Sequence, residues 1–469
     1  MPPSLVSILM TPTRRLRPAP NEQELRLWKV GRALTVIFVT AVLMSGGVFF
    51  SLVVLLNVQE IDNTAKLDAK TLFDLVKLSF GVVAGAGALV ALVVAYRRQR
   101  VDEAGAHREA TRLHTERFSQ AVDKLGSDSP AVRLGGVHSL AGLADDAPDD
   151  SLRQTCIDVL CAYLQLPFTP DPGDHDPAHQ EEHHRYLAFR KVRHTILRLI
   201  CDHYSLPRGT YRSWQGCDLD LTDVTIDCDI SFDGATFSGG RVSFSDATFS
   251  GSRVSFAHAT FSGGDVLFDG AVFCGGNVFF DGAVFSGSWV SFDTAAFSGR
   301  RVSFDGATFS SGRVSFDDVT FLGGEMSFGA RFSGSEVLFG SAVFCGADVS
   351  FGGGTFSGSW VSFGSATFSG GEVSFNPTTF SSGEVSFGSA RFSGGEVSFT
   401  HSTFSGGDVF FSGATFSGGR VSFGDARFSG SQVAFDQASG LAPDGLLAAV
   451  GRGAPGTVRL SQTWLPCGP

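Results

Sequence analysis

The chain has 469 residues, a net charge of -11, 58 glycines and 45 phenylalanines, but only 5 tyrosines and 4 methionines. Such a skew signals a repeat rather than an ordinary mixed domain. The acidic balance argues against a general nucleic-acid binder and leaves a surface that attracts basic partners. Cys156, Cys161, Cys201, Cys217, Cys228, Cys274, Cys345 and Cys467 include no CxxC pair. Their spacing gives no structural zinc site and suits reduced thiols in a cytoplasm.

In chain order, residues 1–32 are Pro- and Arg-rich, and their apolar stretch, Leu5 to Met10, is too short for a signal-peptide core. They read as a disordered basic cytoplasmic tail. Ala33 to Leu56 is an apolar run, and Leu78 to Tyr96 is a second. A bilayer core needs about 20 helical residues, so 33–96 is expected to hold two transmembrane helices joined by the short polar stretch from Asn57 to Thr71. Arg14, Arg15, Arg17, Arg26, Lys29 and Arg32 precede the first run, and Arg97, Arg98 and Arg100 follow the second. Between them stand only Lys66 and Lys70, beside Glu60, Asp62 and Asp68. Basic residues stay inside, which predicts a multi-pass plasma-membrane protein with both termini cytoplasmic. Gly81 and Gly85, with Ala84 and Ala88, either offer a face for close helix packing on the first span or on another copy or reflect only how common Gly is in such helices.

Residues 97–213 read as a helical adaptor. Ser129 and Pro130 suit a helix start, Ser as the cap and Pro at the first helical position. Val137, Leu140 and Ala144 follow at helical spacing. After an acidic break at Asp145 to Asp150, Leu152, Cys156, Val159, Leu160 and Tyr163 mark a second helix, ended by Pro167. The pair resembles a hairpin of the HEAT or armadillo type. The stretch 167–183 is rich in Pro, Asp and His and reads as a linker. Its His175, His179 and His183 stand four apart, as metal ligands on one helix face would, but Pro177 and the acidic composition favour a solvated segment. A third helix, from about His184 to His203, has an apolar face of Tyr186, Phe189, Val192, Ile196, Leu199 and Ile200. Its basic face carries Arg185, Arg190, Lys191, Arg193 and Arg198. That face is either solvated or drawn to an anionic leaflet by about 1 kcal/mol per residue.

From Ile230 the chain repeats. One unit reads Val302-Ser-Phe304-Asp-Gly-Ala307-Thr-Phe309-Ser-Ser-Gly-Arg313, and 17 such units run to Gln432, each with Phe at both positions. All have 12 residues except the one starting at Met326, which is a residue short between Phe328 and Phe332. In Val-Ser-Phe and Ala-Thr-Phe the outer two residues share a face and the middle one points away. Asp-Gly, Gly-Ser and Ser-Gly-Gly between them are turn sequences. Each unit is therefore two short strands and two corners, apolar inside and Ser/Thr outside, and only stacking neighbours bury both rings. The expected core ladder includes Phe232, Phe237, Phe304, Phe309, Phe363 and Phe368.

This region resembles the pentapeptide-repeat family, which places Leu or Phe at a central inward position with a small residue two before it. Phe304 and Phe309 would be central residues and Val302 and Ala307 their inward partners; Leu221 and Ile226, also five apart, look like the entry to the array. The resemblance implies a right-handed quadrilateral β-solenoid over 214–435, with 436–469 as a C-terminal cap or tail. One departure is that Phe309 and Phe316 are seven apart, so every second corner carries two extra residues. A four-faced coil of 24 residues accommodates this, and a two-faced coil of 12 is the alternative. The first makes Phe363 stack on Phe387, the second on Phe375. Two spans, a helical region with Val192-Arg-His194-Thr and Ile200-Cys-Asp202-His203, then Trp214-Gln-Gly216 and the repeats also look like a group of actinobacterial membrane-anchored pentapeptide-repeat proteins.

No catalytic constellation stands out. Only His258 and His401 lie among the Ser/Thr ladders, GxxxxGK is absent and the array contains no Lys. No enzyme activity, cofactor or metal is expected. The array holds 17 acidic residues against 9 Arg, and 9 - 17 = -8. The last residue of a unit is often Arg early on (Arg241, Arg253, Arg301, Arg313). Later it is acidic: Glu325, Glu336, Asp348, Glu372, Glu384, Glu396 and Asp408, with Arg420 the exception. Those seven form the candidate acidic interaction surface. The expected function is a membrane-anchored scaffold for an unidentified cytoplasmic protein, without direct nucleic-acid binding and with self-association open. The alternative that the family resemblance implies is a DNA-mimicking rod acting on a topoisomerase.

Overall fold

The computed structural model describes residues 69–168, 171, 173, 179–251, 253–451 and 458–464, with scattered helical positions between 35 and 51. It divides into two compact units, 1–109 and 110–469. The expected first span lies largely outside the described residues. The second lies in helix α1 (Ala69–Leu125), where the side chains at 79, 80, 82, 83 and 86 are outside the described set. Among the described residues no helix is long and apolar enough to cross a membrane.

The second unit opens with helices. Helix α2 (Pro130–Asp145) and helix α3 (Asp150–Gln165) form the expected hairpin. Ser129 occupies the position before α2, but its side chain makes no cap bond, so Pro130 alone marks that start; Asp149 caps α3 through the Leu152 N–H at 2.9 Å. Gly136 lets α2 cross the end of α1: a Cβ there would stand 2.7 Å from Leu125 N. Helix α4 runs Gln180–Tyr204. It therefore takes over the end of the expected linker, with His179 at its N-terminal boundary and His183 inside it, bound to Asp171 at 2.6 Å. His175 and Pro177 lie outside the described residues.

The array is a β-solenoid of parallel strands. Val242 pairs with Val266, Thr260 with Val284 and Thr367 with Arg391, each 24 residues on. Four strands occur per coil, so the coil is four-faced. In chain order from Val242, Thr248, Val254 and Thr260 they are termed the first to fourth faces. Phe363 stacks on Phe387 with ring centroids 4.8 Å apart and planes 4° apart, whereas Phe375 meets it edge-on at 5.9 Å and 86°. Each face contributes one ladder of parallel rings, and the first-face and third-face ladders interlock edge to face along the axis. Phe232, Phe237, Phe304, Phe309, Phe363 and Phe368 are all buried.

Corners alternate between tight and long. In a tight corner the N–H after two turn residues returns to the first Phe carbonyl, as from Ala307 to Phe304 at 3.0 Å. The second turn residue has positive φ, which Gly306 (φ 68°) adopts freely and Thr294 (φ 59°) does not. At the short unit the deletion is absorbed here: Ala330 N–H reaches Phe328 O at 2.6 Å, a three-residue turn, and Phe309 still stacks on Phe332 at 4.9 Å. Long corners bring successive backbones together. A Cβ on Gly395 (φ 70°) would lie 2.2 Å from Gly371 O, which is why glycine recurs there.

Both ends of the stack are covered. Tyr204 of α4 lies on Phe237 at 5.7 Å and edge-on to Phe232, and its hydroxyl donates to Cys217 O at 2.9 Å. At the far end a short helix, Leu446–Val450, a strand, Val458–Arg459, and Trp464 close the coil. The Trp464 ring meets Phe416 and Phe435 and its Nε1 donates to Gly440 O at 2.9 Å.

Replacing Phe363 or Phe368 with Ala is expected to destabilise the solenoid by ~3–5 kcal/mol, whereas Thr367→Ala, on the outer ladder, changes it little in thermal unfolding of the full-length protein. Thr294→Gly relieves a left-handed β-branched residue and should stabilise by up to ~1 kcal/mol; a lower melting temperature would contradict that corner geometry.

Candidate functional site

The seven acidic residues do not form one surface. Strand register stacks Arg301, Glu325 and Asp348 in one column on the third face, and Glu372, Glu396 and Arg420 continue it. Glu336, Trp360, Glu384 and Asp408 stack on the first face, on the opposite side of the coil. The seven split because units alternate between the two faces, so the 12-residue period brings every second end residue together. The third-face column carries four consecutive acids, from Glu325 to Glu396, between Arg301 and Arg420. The first-face column reads Trp289, Arg313, Glu336, Trp360, Glu384 and Asp408: Arg313 pairs with Glu336 at 4.0 Å, Trp360 interrupts the acids, and both Trp side chains are about half exposed. Asp348 is not purely an outward charge, since its carboxylate accepts the Glu372 N–H at 3.0 Å.

A second set of carboxylates belongs to the fold. In the tight corners Asp233, Asp269, Asp281, Asp293 and Asp305 each accept the hydroxyl of a Ser in the next coil. Asp293 also accepts the Asp317 N–H at 3.0 Å, and Asp317 that of Gly340 at 2.7 Å. Burial, then the charge of Asp293 one coil away, raises the pKa of Asp269 and of Asp317. Charge reckoned from the sequence therefore overstates what these corners offer a partner.

The helical region holds two polar hubs. Asp145, the last residue of α2, is buried and accepts from Trp214 Nε1 at 3.1 Å and Arg212 Nε at 2.9 Å. His203 Nε2 stands 3.2 Å from the same carboxylate, and the His203 ring stacks on Trp214 at 4.2 Å. Burial opposes the charge of Asp145, but the bonds from His203, Arg212 and Trp214 outweigh it and lower its pKa. Asp227, before the first full unit, binds Arg190 Nε at 2.5 Å and His194 Nε2 at 2.7 Å. Burial again opposes its charge, and His194 and Arg190 hold the carboxyl far below the usual range. These hubs tie the helices to the solenoid entrance. Sequence reading misses both: Asp145 falls in the acidic break from Asp145 to Asp150, and nothing in its spacing announces a buried carboxylate. The quoted segments Val192-Arg-His194-Thr and Trp214-Gln-Gly216 supply partners for them.

His194, Asp227 and Cys228 bring three ligand-type atoms within 4.8 Å of one another. Arg190 already neutralises Asp227, and burial pushes the Cys228 thiol up to about 11. The cluster is an ion-paired joint, and its donor set does not favour a cation. The basic face of α4 is divided: Arg190 pairs with Asp227, Arg198 with Asp202 at 3.1 Å, and Arg193 is buried. The seven described cysteines are free, and burial raises the Cys156, Cys161 and Cys201 thiols to about 12.

No family model, curated protein or solved structure matches the chain. The solenoid with inward Phe residues five apart is pentapeptide-repeat-like in its geometry.

The carboxyls predict opposite responses to acid. The lowered pKa values of Asp145 and Asp227 give stability present above the ordinary value of 3.8 and lost as pH falls through their folded values. The raised values of Asp269 and Asp317 give stability fully present below 3.8 and lost as pH rises through their folded values. Hydrogen exchange on acidification should open α2–α4 before the solenoid, and Asp145→Asn should cost ~3 kcal/mol or more at neutral pH. Loss of solenoid protection first would contradict this assignment.

Proposed function

We propose that this protein is a non-enzymatic scaffold, anchored in a membrane through residues 33–96, that presents its β-solenoid to a cytoplasmic protein. The observation that carries the reading is the outer surface: side chains recur at one-coil intervals in straight columns, with four consecutive acids on one face and a mixed column of acids, Trp and Arg313 on the opposite one. Regular solenoids serve as extended binding surfaces, and both ends of this one are covered, which leaves the faces rather than the ends for partners. Membrane anchoring rests on the sequence. Residues 78–96 contain no Asp, Glu, Lys or Arg, and Leu78, Leu89, Leu92 and Tyr96 are exposed, as side chains facing lipid would be. Arg asymmetry supports cytoplasmic termini in the plasma membrane. The Phe spacing supports placing the chain with the pentapeptide-repeat family. A DNA-mimicking rod acting on a topoisomerase is the second reading, favoured by the unbroken column Glu325, Asp348, Glu372 and Glu396.

Crosslinking full-length protein in its native host tests the scaffold, with charge reversed on one face at a time. Capture of a specific protein should be lost with Glu325→Lys, Glu372→Lys and Glu396→Lys together, or with Glu336→Lys and Glu384→Lys together, but not with both sets equally. A topoisomerase captured through the third-face column would favour the second reading, and turnover of a small molecule by the purified protein would overturn the scaffold. A C-terminal reporter active only inside the cell should be active; a silent, well-expressed fusion beside an active periplasmic-type reporter would refute the topology.

A further inference from the structure

The helical region contains a cavity of about 610 Å³ between α2, the chain after α3 and α4. That is within the range of small-molecule sites, about 300–1,000 Å³. Three arginines line it: Arg133 from α2, and Arg185 and Arg193 from α4. Among the described residues none of the three has a carboxylate within ion-pair distance. Glu182 also lines the cavity and is exposed. Arg193 is only 7% exposed. Its guanidinium lies over the Phe168 ring at 5.0 Å, and its one hydrogen bond, to Thr225 O, is long at 3.5 Å. Arg133 lies over Phe189 at 4.5 Å and donates to Tyr163 Oη at 3.0 Å and to Ser127 O, and Arg185 lies over the same ring at 5.6 Å.

A charge buried without a counter-ion is costly, and the usual resolution is an anion or a pairing carboxylate. The neighbouring carboxylate, Asp227, is already bound by Arg190 and His194. Burial lowers the pKa of Arg193, with Asp227 acting against it from beyond contact. The rings hold the guanidinium faces and leave in-plane N–H groups, the donors that match phosphate oxygens in pairs. We propose that this cavity binds a small phosphate monoester with an apolar, ring-sized body, the phosphate meeting Arg185 and Arg193 and the body lying against the exposed Leu166 and Pro167 of the cavity wall, since Tyr186 and the arginines already cover the Phe168 and Phe189 rings. The site meets the solenoid only at its entrance, through Thr225, and stands apart from the first-face and third-face columns, so it would pass a small-molecule signal to the helical region whatever those columns bind.

Calorimetric titration of full-length detergent-solubilised protein tests this, with adenosine monophosphate as probe and inorganic phosphate and adenosine as its two halves, at matched ionic strength. The monophosphate should bind at least tenfold more tightly than either half. Arg185→Gln, at the exposed rim, and Arg193→Met should each weaken it at least tenfold, whereas Arg198→Gln, paired with Asp202 outside the cavity, should not. Should Arg193→Met fail to fold, Arg185→Gln decides alone. Equal binding of probe and halves, no binding at millimolar concentration, or an affinity indifferent to Arg185→Gln would overturn the proposal.

Discussion

The structure depends on the match between the rise of one β-coil and the thickness of a stacked phenyl ring. Parallel strands repeat at about 4.8 Å, and ring centroids along the ladders repeat at 4.6–5.3 Å, with 4.8 Å for both Phe292 on Phe316 and Phe339 on Phe363. One hydrogen-bond step thus buries one ring per face without shifting register. Burial contributes about 1.5–3 kcal/mol per Phe and ring contact about 0.5–1.5 more. That gain tolerates glycine-rich corners and left-handed residues such as Thr294 and Ser341. It also explains why Phe328 and Phe332 keep their ladder positions where the chain is one residue short: the corner tightens instead of the stack slipping.

The same match governs what the molecule presents. A 24-residue coil built from two 12-residue units sends alternate units to opposite faces. Residues equivalent in sequence therefore fall into two columns, and each acquires its own chemistry: four consecutive acids between arginines on one side, acid interspersed with Trp and Arg on the other. Tight-corner aspartates point back into the stack and accept Ser hydroxyls from the next coil, so a good part of the negative charge is committed to the fold. At the entrance, Asp145 and Asp227 bind the helices to the first coils through buried or half-buried charge, a polar joint with an acid response opposite to that of the corner residues Asp269 and Asp317.

The solenoid was legible in the sequence because repetition multiplies a weak local signal: the Val-Ser-Phe and Ala-Thr-Phe pattern gave the faces, and the seven-residue interval from Phe309 to Phe316 gave the long corner. The hairpin was legible from the spacing of Val137, Leu140, Cys156 and Leu160. The hubs were not, since Asp145, His203 and Trp214 are joined across more than fifty positions by tertiary packing alone. The grouping of Glu325 with Glu336 failed for a related reason: adjacency in a repeat list is not adjacency on a four-faced coil. The basic face of α4 likewise read as uniform, yet packing buries Arg193, pairs Arg190 and leaves Arg185 at a rim.

Cysteine pairs placed along the outer ladder test the 24-residue coil most directly. Thr367 pairs with Arg391 across adjacent parallel strands, at a separation a disulfide spans. Thr367→Cys with Arg391→Cys should therefore crosslink under mild oxidation, as read by peptide mass analysis, while Thr367→Cys with Thr379→Cys, 12 residues apart and on different faces, should stay reduced. Ready crosslinking of the second pair and none of the first would contradict the four-faced coil and the ring ladders built on it.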